Sequence, residues 1–134
     1  AALTAFRALG GCRIAVITPY DAAANEAVVH YLKANGLDVV SCTGMDMTQF
    51  DLQHLPYETA DRDFLYKNAR EIPREGAEAL FFCGECLGTM EIIAALEGDI
   101  HLPVVTSQQA LLWAALRDCR INAKDSRLGK LFTI

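Results

Sequence analysis

No run of adjacent lysines and arginines appears in the chain, and acidic residues outnumber basic ones 17 to 12, for a net charge of −5. A phosphate backbone or an anionic membrane surface attracts a basic face. Neither nucleic acid nor a membrane is therefore expected as a partner. Long apolar runs are missing too: none approaches the roughly 18 residues that cross a bilayer. No basic segment followed by an apolar one opens the sequence, so no secretory signal is expected. Cysteine is sparse and irregular, at Cys12, Cys42, Cys83, Cys86 and Cys119. An odd count with loose spacing does not make a disulfide framework and fits a reducing, cytoplasmic setting. The opening "AALTAFRALGG" lacks Met and runs straight into helix-like sequence, as expected of a chain that lacks an upstream part.

What is present is an ordinary globular composition, 52% apolar and 22% charged over 134 residues, which suffices for one domain with its own core but not for two. Helix-like and strand-like segments alternate. Residues 2–9 read as a helix. "RIAVIT" at 13–18 is a β-branched run without polar interruption, as in a strand buried on both faces. Residues 22–35 carry Ala24, Val28, Tyr31 and Leu32 at helical spacing, and Gly36 is the expected C-cap. "LDVVSC" is a second strand, and 44–57 an aperiodic loop. Thr59 is placed to cap a helix with the apolar stripe Phe64, Leu65, Ala69 and Ile72. A third strand is expected at 78–82 and a helix from about Thr89 to Glu97, with Met90, Ile93 and Leu96 on one side. A fourth strand at 103–106 and a helix over about 108–117 complete the pattern. It predicts an α/β domain over 1–134: a parallel four-stranded sheet with helices on both faces, flavodoxin-like.

Ligands of such sheets bind beyond the carboxyl ends of the strands. Those exits are Thr18-Pro19-Tyr20, Ser41-Cys42-Thr43, Cys83-Gly84-Glu85-Cys86 and Thr106-Ser107. All are small and polar, and helix N-termini follow at least three of them. Free amide N–H groups and the positive end of a helix dipole suit a carboxylate or phosphate. Each Thr and Ser also suits a plain N-cap.

"FFCGECLGT", residues 81–89, carries the most chemistry, and three readings of it stand. Cys83 and Cys86 form C-x-x-C after a strand and before a helix, a dithiol placement. The flanking Trp and Pro of that motif are absent, and Glu85 opposes thiolate formation. A zinc site needs four ligands, and Cys42, His54 and His101 lack the paired spacing to supply the rest, so no metal is expected. A single thiol at a strand end is the third reading. Near a helix N-terminus it can move a proton at a carbon next to a carboxylate, while amide donors stabilise the enolate-like charge. Tyr20, one residue past Pro19, is placed to complete the anion seat. Cys12 and Cys119 read as buried small hydrophobes, Trp113 as core, and His30, His54 and His101 as surface or loop residues.

Two blocks, "RIAVITPYDAAANEAVVHYLKANGLDVV" and "ALFFCGECLGTMEIIAALEGDIHLPVVTSQQALLWAALR", resemble the maleate isomerase and arylmalonate decarboxylase branch of the aspartate/glutamate racemase superfamily. The first carries a strand, Pro-Tyr, Asn25, then Tyr-Leu before an Asn-Gly break. In the second, Thr89, Ile93, Leu96, Glu97, Pro103, Val104, Val105, Ser107, Ala110 and Trp113 match in order. The resemblance implies one half of a two-domain racemase-type fold, with this chain as the C-terminal half and the N-terminal half absent. It implies a cofactor-independent isomerase, racemase or decarboxylase acting on a small dicarboxylate such as maleate or an arylmalonate.

By that resemblance Cys83 is the thiol acid, base or nucleophile, with Cys86 the alternative. The family's Cys position falls on Gly84, so the turn is out of register by one residue. Tyr20 and the amides of Gly84 and Glu85 would hold a carboxylate. Asn25, Ser107 and Gln49 would complete the substrate-binding set, and Asn25 is equally suited to bracing the Tyr20 loop. The partner implied is the missing half or a second subunit, with a homo-oligomer as one arrangement. Two further functions fit the residues: a carboxylate-binding domain that has lost its chemistry, and a C-x-x-C thiol oxidoreductase.

Overall fold

The structure, a computed structural model, describes residues 1–47, 62–85 and 87–134. In chain order the elements are α1 (Ala2–Leu9), β1 (Arg13–Thr18), α2 (Ala22–Ala34), β2 (Asp38–Gly44), α3 (Arg62–Glu71), β3 (Ala79–Phe82), α4 (Ile93–Ile100), β4 (Val104–Thr106) and α5 (Ser107–Asp118). Two 3₁₀ turns, Ser126–Leu128 and Lys130–Thr133, follow. All strand pairs are parallel, in the order β2-β1-β3-β4. This is the flavodoxin-like arrangement expected from the sequence.

Alternation along the strands builds two cores. Ile14, Val16, Phe81 and Val105 face Phe6 of α1, Leu32 of α2 and Trp113 of α5. Ala15, Ile17, Leu80, Phe82 and Val104 face Leu65 of α3 and Ile93 and Leu96 of α4. Each fully buried Leu, Ile or Phe contributes roughly 1.5–3 kcal/mol relative to exposure. That double demand explains why β1 and β3 are apolar without interruption.

Several expectations need correction. The helix after β3 begins at Ile93, not Thr89, and runs on to Ile100. The Thr89 hydroxyl and amide both turn back to the Leu87 carbonyl, so no helical ladder starts there. At its far end His101 adopts φ 55° and donates its N–H to the Glu97 carbonyl. For α2 the cap is Asn35, and Gly36 takes the left-handed position beyond it at φ 87°. Leu37 then donates to the Leu32 carbonyl and Gly36 to Lys33, a Schellman closure. Ala24 is exposed and Tyr31 is 59% exposed, so only Leu32 of the expected stripe is buried and Val28 half-buried. Phe64 is exposed on α3. Cys12 and Cys119 are exposed as well, because both sit in turns beyond helix ends rather than on a core face. Trp113 is core as expected. The expected Thr59 cap, His54 and most of the 44–57 loop lie outside the described residues.

Candidate functional site

From β1 the chain steps one way to β2 and later the other way to β3, so the strand order switches between β1 and β3. A crevice opens at such a switch point beyond the carboxyl ends. The exits Thr18-Pro19-Tyr20 and Cys83-Gly84-Glu85 therefore stand side by side.

The β1 exit is held from within. Buried Thr18 donates its hydroxyl to Asn25 Oδ1 at 2.5 Å and accepts the Tyr20 N–H at 3.1 Å. Asn25 Nδ2 donates to the Tyr20 carbonyl at 3.3 Å. Both ends of the Asn25 amide thus shape the Tyr20 loop. A side chain at Gly44, the last residue of β2, would run into that amide and into the Tyr20 carbonyl. Asp21 caps α2 by accepting the Ala24 N–H at 2.9 Å. Tyr20 itself is half-buried at the mouth of a groove of about 970 Å³ along α2 and the end of β2, with Glu26, His30, Cys42 and Asp46 among its lining.

At the β3 exit, Pro19 lies against Gly84. A Cβ there would meet Pro19 Cδ at 2.9 Å and Cγ at 3.1 Å. The Gly84 N–H donates to Ser107 Oγ at 3.2 Å, and that hydroxyl donates to the Phe82 carbonyl at 3.4 Å. Gln108 Nε2 donates to the Glu85 carbonyl. The start of α5 therefore braces the turn, while its own N-terminus is closed by a capping box. Thr106 Oγ1 accepts the Gln109 N–H and Gln109 Oε1 accepts the Thr106 N–H, both at 3.1 Å. Each cap satisfies one amide of its helix's first turn, Ala24 in α2 and Gln109 in α5.

Donors are available elsewhere. Between Gly84 and Ile92 only three backbone N–H groups find protein acceptors among the described residues: Gly84, Thr89 and Ile92. The amides of Glu85, Leu87, Gly88, Met90 and Glu91 are left without one. These amides lie in one turn whose Leu87 and Thr89 are buried, and amides without acceptors among the described residues suit an anion. The sequence reading missed the part beyond Glu85 because it continued the helix back to Thr89. The close pair Pro19 and Gly84, each just past an apolar strand, was the available signal.

Cys83 faces the other way. Phe82 belongs to the α3/α4 core, so the next side chain turns to the α1/α2 side. There Cys83 lines an apolar groove of about 390 Å³ with Phe81, Val28 and Tyr31. Burial, reinforced by neighbouring Cys42, pushes its thiol up to about 11. Burial raises Cys42 as well. Both are neutral thiols at physiological pH. Cys86 and Gln49 lie outside the described residues. Tyr20, Gly84, Glu85, Ser107 and Cys83 are brought to one end of the sheet, with the Cys83 side chain directed toward α2.

Among the described residues no group of three or more His, Cys, Asp or Glu is placed to hold a metal ion. Nor is any helix there long and apolar enough to cross a membrane.

A family model described as arylmalonate decarboxylase matches residues 1–132. The arylmalonate decarboxylase of Bordetella bronchiseptica is 31% identical over 133 residues, covering 98% of this chain and 55% of that protein. A sulfate-associated glycine-to-cysteine mutant of arylmalonate decarboxylase superposes with a TM-score of 0.85 at 25% identity, over 98% of this chain and 56% of that one. The maleate isomerase Iso of Pseudomonas putida S16 superposes with a TM-score of 0.87 at 22% identity, a likeness of fold, over 98% and 52% of the two chains. The chain spans about half the length of the relatives it matches.

Proposed function

The chain belongs to the arylmalonate decarboxylase family, in the maleate isomerase and arylmalonate decarboxylase branch of the aspartate/glutamate racemase superfamily, and on that premise we propose that it supplies one half of a site for a small dicarboxylate. Residues 1–134 act as the C-terminal half, and the facing half comes from further polypeptide or a second subunit. The reaction is a cofactor-independent isomerisation, racemisation or decarboxylation.

One observation carries this reading: the amides of Glu85, Leu87, Gly88, Met90 and Glu91 at the switch point, which find no protein acceptor among the described residues. A carboxylate seated there accepts several N–H bonds, each stronger for its charge. Charge that develops on the same oxygens when a bond to the α-carbon breaks meets donors already in place. Tyr20, across the crevice, holds the second carboxylate. Ser107 acts through the turn by fixing the Gly84 amide. A thiol near 11 is poorly suited to take a proton at neutral pH. Cys83 therefore enters as a neutral proton donor rather than as a base or nucleophile, and Cys86 is the alternative thiol.

The same facts support a second reading, a carboxylate-binding domain without turnover. Gly84 is hemmed in by Pro19, and the nearest described thiol is neutral. Dithiol exchange is less well supported, because it needs a thiolate and burial works against one at Cys83.

Titration of malonate and maleate into isotope-labelled protein tests the shared premise. The amide resonances of Glu85, Leu87, Gly88 and Met90 should move together and saturate. If they stay still while others respond, the seat is elsewhere. Turnover of the bound acid, followed by chiral chromatography with the facing half supplied, then separates the enzyme from the binding domain.

A further inference from the structure

We propose that the cleft at the C-terminal end of α5 binds a small oxyanion, phosphate or carboxylate, through Arg117, Arg120 and Lys124. The cleft has a volume of about 370 Å³, and Ile121, Asn122 and Ile134 complete its lining. It lies where α5 ends after running back along the sheet, away from the turn at the strand carboxyl ends, and is independent of the function proposed above.

Three cations share this small space in a chain of net charge −5. Among the described residues no Asp or Glu side chain is within ion-pair distance of any of them. Two are held in place by main-chain oxygens instead. Arg117 donates to the Ile134 main-chain oxygen at 3.0 Å and stacks 4.2 Å over the Trp113 ring. Lys124 donates to the Thr133 carbonyl at 3.3 Å. Such bonds fix the side chains, and the Thr133 carbonyl does so without neutralising Lys124.

Arg120 is the more telling residue. Helix α5 ends in a Schellman closure, with Ile121 donating to the Leu116 carbonyl at 2.8 Å and Arg120 to Arg117 at 2.9 Å. The residue beyond the cap must take left-handed backbone, and Arg120 does so at φ 58°. Glycine fits that position without strain. In α1 and α2 this chain uses Gly10 and Gly36 for the corresponding turns. At α5 it holds a strained arginine beside two other cations. The helix dipole favours a cation in the last turn, which accounts for Arg117. It does not require arginine at the strained position or Lys124 beyond it. His101 takes the same backbone beyond α4, so it is the placing of Arg120 beside two further cations that suits an oxyanion, which can accept from all three, with Asn122 and Ile121 in the same lining.

The test uses the whole 134-residue chain with Arg120→Gly and Lys124→Gln. Inorganic phosphate, acetate and chloride are titrated at matched ionic strength, read by Trp113 fluorescence and by the amide resonances of Ile121 and Asn122. Phosphate or acetate should saturate where chloride does not, and the preferred anion identifies the source class. Arg120→Gly should raise the urea midpoint by relieving the backbone while weakening binding by about tenfold or more, the scale of one lost hydrogen bond to a charged group. Lys124→Gln should weaken binding with the fold intact. Responses that chloride reproduces, or undiminished affinity in Arg120→Gly, overturn the proposal.

Discussion

At the scale of single residues, the contact between Pro19 and Gly84 decides what the β3 turn can carry. A Cβ at position 84 falls 2.9 Å from Pro19 Cδ, closer than such atoms normally come. Gly84→Ala should therefore destabilise the protein by about 1–3 kcal/mol, the usual cost of overpacking. Pro19→Ala removes both ring carbons and should restore much of that loss, so the two substitutions should couple by at least ~0.5 kcal/mol in a urea double-mutant cycle. Additive effects would show that the turn is not closed by this contact. Cys83 gives a second residue-scale expectation. Its thiol ionises near 9.0 when exposed and at about 11 in the fold. Between those values the unfolded chain has lost the proton that the native state keeps. Stability should hold below pH 9 and fall as pH rises toward 11. Cys83→Ala should flatten that slope in urea midpoints measured across the range, leaving the smaller contribution of Cys42. An unchanged slope would mean that the thiol is not desolvated.

Among the elements, α4, β4 and the C-terminal turns meet at one side chain. Glu97 accepts the Val104 N–H and the Lys130 N–H, both at 2.8 Å. Gly129, at φ 77°, packs so closely that a Cβ would touch Glu97 Oε1 at 3.0 Å. Glu97→Ala leaves two amides without a partner and should destabilise by about 1–3 kcal/mol. Amide exchange at Leu131 and Phe132 should rise at the same time, and unchanged exchange there would show that the clamp is not what holds the last turns. This clamp also marks where the sequence stops being readable. The strands were legible because burial on both faces leaves only apolar residues, and their placement follows from alternation with helices. The helix after β3 was misplaced because Thr89 and Met90 continue the spacing of Ile93 and Leu96 while their backbone does not. The 3₁₀ turns carry no period at all, and long-range hydrogen bonds to Glu97 and Gln109 define them. In the site, Tyr20 and the Gly84 turn stood out as strand exits. That the Gly84 amide is taken by Ser107, and that Asn25 is bonded at both ends, depends on partners up to 23 residues away. The direction of Cys83 was in principle readable from parity with buried Phe82.

On the scale of the whole molecule, the two cores share one sheet, and this fixes how it should unfold. Val16 and Phe81 serve the α1/α2/α5 side, and Ile17 and Phe82, one residue on, serve the α3/α4 side. Removing either helical layer would expose strand faces to water while the other layer still needed the strands in register. Each exposed Leu or Phe then costs roughly 1.5–3 kcal/mol, so a half-stripped intermediate has little to stabilise it. A single cooperative transition is expected, with Trp113 fluorescence, which reports the α1/α5 side, coinciding with far-UV circular dichroism, which reports every element. Leu80→Ala provides the sharper form of this test. Leu80 is fully buried in the α3/α4 core, on the face of β3 opposite Trp113. Its truncation should cost about 2–5 kcal/mol. If the two layers are one unit, the Trp113 midpoint should fall as far as the circular-dichroism midpoint, although the substitution never touches the tryptophan's core. A Trp113 transition left in place while the dichroism shifts would mean that the α1/α5 layer, which includes the proposed anion cleft, folds and opens independently of the rest.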